Sequence, residues 1–315
     1  MNPRFLPRDF VETEEGLVFA VVSSSEEEGR VPACLRYRRS GSGYFKLSTL
    51  AAETLLRSTS PEYLFYSKIR DVHLHAVLLE CIVHHYQPRR RVQDLRAQGR
   101  HDTIERKLLR LLELFSENGL KSGCVGVTGS LLLGAQRPDS DIDLVIYGRE
   151  SFFQARRIVK QLKEERALDR LDETLWRDAF ARRGCELSFE EYLWHERRKF
   201  NKAAIEGTKV DLSLLADAPD ADHAVYHKHG LKCIQAGVVD DTFAFDYPAR
   251  YRIDHPSISE VLSFSATYAG QARAGEIVEV CGQLEVSSRM GQRIVVGSDR
   301  EAVGQYIKVV HTPDR

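Results

Sequence analysis

Two aspartates, Asp141 and Asp143, stand two residues apart in the segment DSDIDLVIYG, whose apolar residues alternate as in a β-strand. Residues i and i+2 of a strand point to the same face, about 6.5–7 Å apart, so both carboxylates project together. Ile142, Leu144 and Ile146 take the other face, which suits burial. Like charges this close beside an apolar sheet repel each other unless a cation compensates them, and carboxylate oxygens suit Mg²⁺. The spacing therefore predicts a metal site.

A glycine–serine pair, Gly129 and Ser130, ends the preceding strand-like segment and begins a short helix-like one, SLLLGA. A glycine lets a phosphate approach the backbone, the exposed N–H groups favour an anion, and the serine hydroxyl can donate a hydrogen bond to it. Each part has a structural alternative, because Ser130 can cap a helix and the run from Asp139 to Asp141 can form a turn. Together they indicate a triphosphate cradle joined to a metal pair.

The Gly-Ser pair, followed about ten residues later by Asp-x-Asp on a strand, resembles the signature of the polymerase-beta-type nucleotidyltransferase superfamily. The resemblance covers roughly residues 103–216. It implies a mixed sheet flanked by helices and transfer of a nucleoside monophosphate from a nucleoside triphosphate to a hydroxyl, with release of pyrophosphate. It further implies that Gly129 and Ser130 hold the β- and γ-phosphates, and that Asp141 and Asp143 bind two Mg²⁺ or Mn²⁺ ions.

The same resemblance implies a third carboxylate on a later apolar strand, and the segment TKVDLSLL supplies Asp211. A strand aspartate with apolar neighbours on both sides needs a partner, and a metal ion is one. Asp211 would bind the catalytic metal and activate the attacking hydroxyl, either through that metal or as a base. The competing carboxylates belong to the loop that follows: Asp217, Asp220 and Asp222.

Positive charge is expected to meet the departing pyrophosphate. Lys199 and Lys202, in HERRKFNKAAIEG, are three residues apart, so one helix face could present both. A solvated helix face is the alternative. Arg137, in the turn between the cradle and the metal strand, is a further candidate for nucleotide binding.

The surrounding segments predict three domains of an α+β or α/β chain. Residues 1–100 form an N-terminal β-plus-helix domain, residues 101–220 the mixed-sheet nucleotidyltransferase core, and residues 221–315 a β-rich domain similar to a small OB-type barrel. Helical spacing predicts helices over 61–86 and 103–117. Four histidines in the first of these helices are expected to be structural rather than metal ligands: His73, His75, His84 and His85.

Composition narrows the class of protein. Hydrophobic residues make up 43% and charged residues 29%, as in soluble globular proteins, and no run of about 18 apolar residues predicts a membrane span. Six widely spaced cysteines without a C-x-x-C pair argue against a zinc cluster or a disulfide framework and suit a reducing cytoplasm. With a net charge of −1, any surface for nucleic acid must be local.

Three hypotheses for the function stay open: two differ in the acceptor, and the third has no catalysis. RNA or another nucleic acid is favoured by the arginine run at 89–91, which is alternatively a solvated linker, and by the possible barrel. Phe243, Phe245 and Tyr247, predicted to alternate along a strand, could stack bases or pack in a core. A small molecule or protein side chain is the second acceptor class, as in antibiotic-modifying and toxin-like members. A non-catalytic nucleotide- or RNA-binding protein is the third, which the filled carboxylate triad disfavours. The oligomeric state stays unknown.

Overall fold

The computed structural model describes residues 5–41, 43–216, 224–297 and 303–312. The strands are, in chain order, β1 (Phe10–Thr13), β2 (Leu17–Val21), β3 (Arg30–Ser40), β4 (Gly43–Lys46), β5 (Leu64–Ser67), β6 (Val72–Leu78), β7 (Ile82–Tyr86), β8 (Val125–Thr128), β9 (Ile142–Tyr147), β10 (Lys202–Ile205), β11 (Thr208–Leu215), β12 (His227–Asp240), β13 (Ala249–Asp254), β14 (Ile258–Ser263), β15 (Ile277–Ser287), β16 (Gly291–Val296) and β17 (Tyr306–His311). The α-helices are α1 (Thr49–Thr59), α2 (Pro88–Ala97), α3 (Thr103–Glu117), α4 (Ser130–Leu133), α5 (Arg149–Glu164), α6 (Glu173–Arg183) and α7 (Phe189–Arg197). The predicted mixed α+β class is confirmed.

The chain divides into two compact units. The first comprises Met1–Ser67, His73–Asp169 and Ala204–Ala221, and so takes in both the predicted N-terminal domain and most of the predicted core. One of its sheets is ordered β5–β6–β3–β2–β1–β7, with β4 added to β3, and the other is ordered β10–β11–β9–β8. The second sheet carries the strand with the Asp-x-Asp motif.

The helix predicted over 61–86 is wrong, because this segment forms β5, β6 and β7 with short 3₁₀ turns between them. Its apolar residues also fit a period of two, as in VHLHAVL, and β6 and β7 complete their hydrogen bonds against β3 and β1. Pro88 consequently does not end a helix. It opens α2, at the first position, where a missing N–H costs no hydrogen bond.

The histidines of this segment include two with structural bonds. His75 Nδ1 accepts a hydrogen bond from the Leu35 N–H at 3.0 Å, and its Nε2 lies 3.1 Å from Glu53 Oε2. His85 Nε2 lies 2.7 Å from Asp9 Oδ2. These contacts tie the histidines to neighbouring elements of the sheet.

The helix predicted over 103–117 is confirmed as α3. Asp102 caps it, and the Glu105 side chain returns the bond to the Asp102 N–H, which forms a capping box. Asn118 ends the helix, and Gly119 follows in the left-handed region with a φ of 85°. The apolar stripe of α3 is buried, and the Lys107 ammonium on this helix binds the Glu206 carbonyl oxygen and Thr208 Oγ1 at the edge of the second sheet.

The second unit comprises Lys68–Val72, Arg170–Ala203 and Asp222–Arg315. Its sheet is ordered β12–β13–β14–β16–β15–β17, and β12 also pairs with β15. The pairing path that leaves β12 through β13, β14 and β16 therefore returns to β12 through β15. In this path β14 and β16 are parallel, and the other pairs are antiparallel.

Two expectations about this unit are corrected. Phe243, Phe245 and Tyr247 lie in the loop before β13 rather than on a strand, since the turn from Asp241 to Asp246 precedes the first ladder residue, Ala249. A disulfide joins Cys233 to its partner Cys281, directly opposite on β15. Cysteine spacing missed this bond because the sequence does not show which strands pair.

No helix within the described ranges is both long and apolar enough to cross a membrane.

Candidate active site

Three carboxylates meet on one face of the β10–β11–β9–β8 sheet. β9 and β11 run parallel with Asp143 directly opposite Asp211, and Thr128 on β8 lies opposite Asp143 on its other side. Asp141 immediately precedes β9. Because neighbouring strands are about 4.8 Å apart and side chains alternate between faces, these aspartates project to the same side of the sheet.

The opposite face of the same two strands is apolar. Ile142, Leu144 and Ile146 on β9 are completely buried, as the alternation predicts. Val210 and Leu212 on β11 are also buried. A one-residue slip of either strand would turn this apolar set to the polar side, so core packing fixes which face carries the carboxylates.

Gly129 brings the preceding turn against this carboxylate face. Its φ of 69° and ψ of −144° are a conformation that L side chains rarely adopt. A Cβ atom at this position would lie 2.7 Å from Asp143 Oδ2. Ser130 follows as the first residue of α4, and Gly134 ends this short helix in the left-handed region. The glycine–serine turn and the metal strand are therefore in direct contact.

Arg91 holds the turn in place from α2. Its Nε donates a hydrogen bond to the Leu131 carbonyl oxygen at 2.9 Å, and its Nη2 donates to Glu105 Oε1 at 2.9 Å. Neither a solvated linker nor a phosphate patch, the two predictions for the arginine run, includes this positioning role of Arg91. Arg137 is exposed, and its backbone N–H donates to Ser140 Oγ at 2.9 Å in the turn before β9.

Lys209 is the residue of this face that the sequence analysis did not single out. It stands two residues before Asp211 on β11, is 6% exposed, and its Nζ lies 2.9 Å from Asp141 Oδ2 and 3.0 Å from Asp211 Oδ2. Burial alone would lower the pKa of the Lys209 ammonium, but the attraction of Asp211 and Asp141 outweighs burial and raises it. The sequence did carry a signal for Lys209, because it stands two residues before Asp211 and therefore on the same face of the strand.

The negative charge of Asp143 is unfavourable in this site. Burial raises its pKa, and the negative charges of Asp211 and Asp141 add to this effect. Lys209 and Arg8 oppose the rise but do not cancel it. With three carboxylates against one close ammonium, the face stabilises an additional cation.

The donor set suits a hard divalent cation, since carboxylate oxygens are the ligands that Mg²⁺ and Mn²⁺ prefer. Within the described part of the chain, however, no three His, Cys, Asp or Glu side chains are already arranged around one metal position. The Lys209 ammonium lies between two of the carboxylates instead. The residues therefore fit a divalent ion chemically, provided that this ammonium moves.

Lys199 and Lys202 are not presented by one helix face as predicted, because α7 ends at Arg197 and Lys202 opens β10. Lys199 is 1% exposed, and its Nζ lies 2.6 Å from both Glu196 Oε1 and the Thr267 carbonyl oxygen. Lys202 forms an ion pair with the other Glu196 oxygen. Both ammonium groups thus belong to a buried ion-pair cluster. The loop alternatives to Asp211, namely Asp217, Asp220 and Asp222, lie outside the described residues.

His195, beside this cluster, gives the second unit a pH-dependent stability. It is 2% exposed, and its Nε2 accepts from the Val309 N–H, so its Nδ1 carries the proton and donates to the Glu191 carbonyl oxygen. Burial, helped by Lys199 and Arg198, lowers its pKa from 6.5 to about 4. Because the unfolded chain binds this proton first, we expect stability to fall as pH drops below 6.5 and to level off below about 4. The full loss is about 3 kcal/mol.

Urea unfolding at several pH values, compared with the His195→Gln variant, measures this effect. Glutamine keeps a donor and an acceptor but takes up no proton, so the advantage of the wild type over the variant should shrink between pH 7 and pH 4. The titration of Glu196, whose pKa is about 2 because Lys199 and Lys202 outweigh its burial, occurs in both proteins and largely cancels. An advantage that stays constant over this range would contradict the prediction.

Strands β8 and β9, the glycine turn and the three carboxylates all lie between residues 108 and 213. Residues 108–213 match the nucleotidyltransferase domain family, and the chain belongs to this polymerase-beta-type family. Over nearly its whole length it is also similar to the uncharacterized protein MJ1086 of Methanocaldococcus jannaschii. The two are 33% identical over 333 aligned positions, which cover 96% of this chain and 98% of the relative. No solved structure matches the chain.

Proposed function

We propose that this protein transfers a nucleoside monophosphate from a nucleoside triphosphate to a hydroxyl acceptor and releases pyrophosphate, with Mg²⁺ or Mn²⁺ as cofactor. The observation that carries the proposal is the register of Asp143 opposite Asp211, with Gly129 in contact with the Asp143 carboxylate. Because the reaction consumes nucleoside triphosphates, we place it in the cytoplasm.

In this proposal Asp141, Asp143 and Asp211 would hold two divalent ions, which would supply positive charge for the phosphates and lower the pKa of the attacking hydroxyl. The protein supplies the rest. Gly129 leaves space beside Asp143 that a side chain would fill, so a phosphate oxygen can approach there. The Ser130 hydroxyl donates a hydrogen bond to the triphosphate. Asp211 orients the attacking hydroxyl and accepts its proton as the general base.

We further propose that the acceptor is RNA, held by the second unit as an OB-type barrel. The closed pairing path, with β14 parallel to β16, supports a small Greek-key barrel, and such barrels bind oligonucleotides on the face of their second and third strands. β13 is the second strand of this path. Its Tyr251 and Ile253 are buried, whereas Arg252 is exposed and Arg250 half-buried. The Arg250 guanidinium lies 5.9 Å from the centre of the Phe243 ring, a pairing that suits unpaired bases.

Transfer of label from each α-³²P nucleoside triphosphate tests the reaction, with Mg²⁺ or Mn²⁺ and with total RNA, DNA, the protein itself or metabolites as acceptor. We expect label on RNA, and none with the Asp143→Ala variant. If label appears only on protein or on a metabolite, that molecule and not RNA is the acceptor. The absence of pyrophosphate release with every acceptor would contradict nucleotidyl transfer itself.

A separate pair of substitutions tests whether the β13 face binds RNA. Arg252→Ala removes an exposed guanidinium, and we expect it to weaken RNA binding and to reduce the salt dependence of that binding. Arg157→Ala, an exposed arginine on α5 outside both β13 and the run at 89–91, serves as the matched control. Equal effects of the two substitutions would assign the binding to general charge rather than to the β13 face.

A further inference from the structure

Lys209 occupies a defined place in the carboxylate array. The β9–β11 register that sets Asp211 opposite Asp143 also sets Lys209 beside Asp141, so the four side chains form a square on one sheet face. Three corners are carboxylates and the fourth is an ammonium. Its Nζ lies 2.9 Å from one carboxylate and 3.0 Å from another, both within hydrogen-bond distance.

A divalent ion and this ammonium compete for the same oxygens. Mg²⁺ binds carboxylate oxygens at about 2.0–2.1 Å, whereas the Lys209 ammonium contacts Asp141 Oδ2 and Asp211 Oδ2 from the same side. An ion on those oxygens would place like charges within a few ångströms of each other in a buried site, which is strongly unfavourable. A lysine carries its charge on a flexible four-carbon stem, so the ammonium can swing away while its backbone stays in β11.

We infer that Lys209 is an internal counter-cation that holds the carboxylates of the metal-free protein together and is displaced when divalent metal binds. The inference rests on the proposed function, because it takes the three aspartates as the metal site. Lys209 lowers the affinity for free metal, since each ion must first break two ammonium–carboxylate contacts. A metal ion that arrives with a triphosphate brings extra oxygen ligands and overcomes this competition. Metal binding is thereby coupled to nucleotide binding.

Binding of Mn²⁺ to the full chain without nucleotide tests the inference, with free Mn²⁺ followed by electron paramagnetic resonance. We expect Lys209→Met to bind Mn²⁺ at least about tenfold more tightly than the wild type. Lys107→Met is the matched control. The Lys107 ammonium binds the Glu206 carbonyl oxygen and Thr208 Oγ1 on the same edge of the sheet, but none of the three aspartates, so its loss should leave Mn²⁺ affinity unchanged.

Thermal unfolding gives a second readout that does not depend on activity. Without Lys209 the carboxylates repel each other, so Lys209→Met should unfold at a lower temperature than the wild type in EDTA and gain more from added Mn²⁺. A Lys209→Met protein that unfolds in EDTA and is recovered by Mn²⁺ supports the inference, and one that Mn²⁺ does not recover overturns it.

The outcomes separate this inference from the proposed function. Wild-type binding of Mn²⁺ with equal or weaker binding by Lys209→Met would overturn the role of Lys209 and leave the metal site intact. Absence of Mn²⁺ binding in the wild type and both variants, even with a non-hydrolysable nucleoside triphosphate present, would instead remove the metal site on which the proposed function depends. If Lys107→Met gains as much Mn²⁺ affinity as Lys209→Met, the gain comes from the loss of a positive charge in general, and the role of Lys209 is overturned.

Discussion

Replacing Asp143 with asparagine is expected to abolish nucleotidyl transfer and, at the same time, to stabilise the metal-free fold. The loss of activity should be on the order of 10³-fold or more, because the amide cannot replace a charged metal ligand at the reacting phosphate. Stability should rise because burial and the charges of Asp211 and Asp141 disfavour the ionised Asp143 carboxylate. An isosteric neutral group removes that repulsion without leaving a cavity.

Transfer assays and thermal unfolding in EDTA measure the two effects separately. Asp9→Asn is the matched control, since burial also raises the pKa of Asp9, yet its carboxylate lies 2.7 Å from His85 Nε2 and accepts from the Leu6 N–H. That variant should retain transfer and gain no stability. If Asp143→Asn unfolds earlier than the wild type in EDTA, the carboxylate is a structural group, and if it stays active, it is not a metal ligand.

The motif was predictable from the sequence because its parts are local. The strand, the glycine turn and the next strand span only about twenty residues, and a period of two is enough to assign the faces of β9. The face of β11 followed from the same alternation. Its parallel register beside β9 depends on the intervening crossover, and alternation alone does not give the alignment that sets Asp211 opposite Asp143.

What the sequence did not reveal was which charges neutralise each other. Lys209 stands in the same segment as Asp211, but its contact with Asp141 requires the strand pairing to be known. Lys199 and Lys202 had the charge and spacing expected for pyrophosphate binding. In the structure, however, both ammonium groups are buried and form ion pairs with Glu196. The helix prediction for residues 61–86 was wrong for a related reason. Its apolar pattern fits both a helical period and a strand period, and only the pairing with β3 and β1 decides between them.

Gly129→Ala is the second substitution with a large expected effect, and it tests the contact between the turn and the metal strand. The new Cβ would lie 2.7 Å from Asp143 Oδ2, and the backbone would be held at a φ of 69° and a ψ of −144°. We expect a loss of about 1–3 kcal/mol in the free energy of unfolding and of about 100-fold in transfer. Urea unfolding and the labelled-nucleotide assay measure both.

The other end of α4 provides a control in which the side chain meets no close contact. Gly134 also has a positive φ, 67°, but its ψ of 27° places it in the left-handed region that asparagine tolerates, and a Cβ there meets only Arg91 Nη2 at 3.8 Å. Gly134→Asn should therefore cost little. In an Asp143→Ala background the clash disappears, so Gly129→Ala should then destabilise less than it does in the wild type. Equal destabilisation in both backgrounds would show that the glycine serves the turn alone and not the approach of the carboxylate.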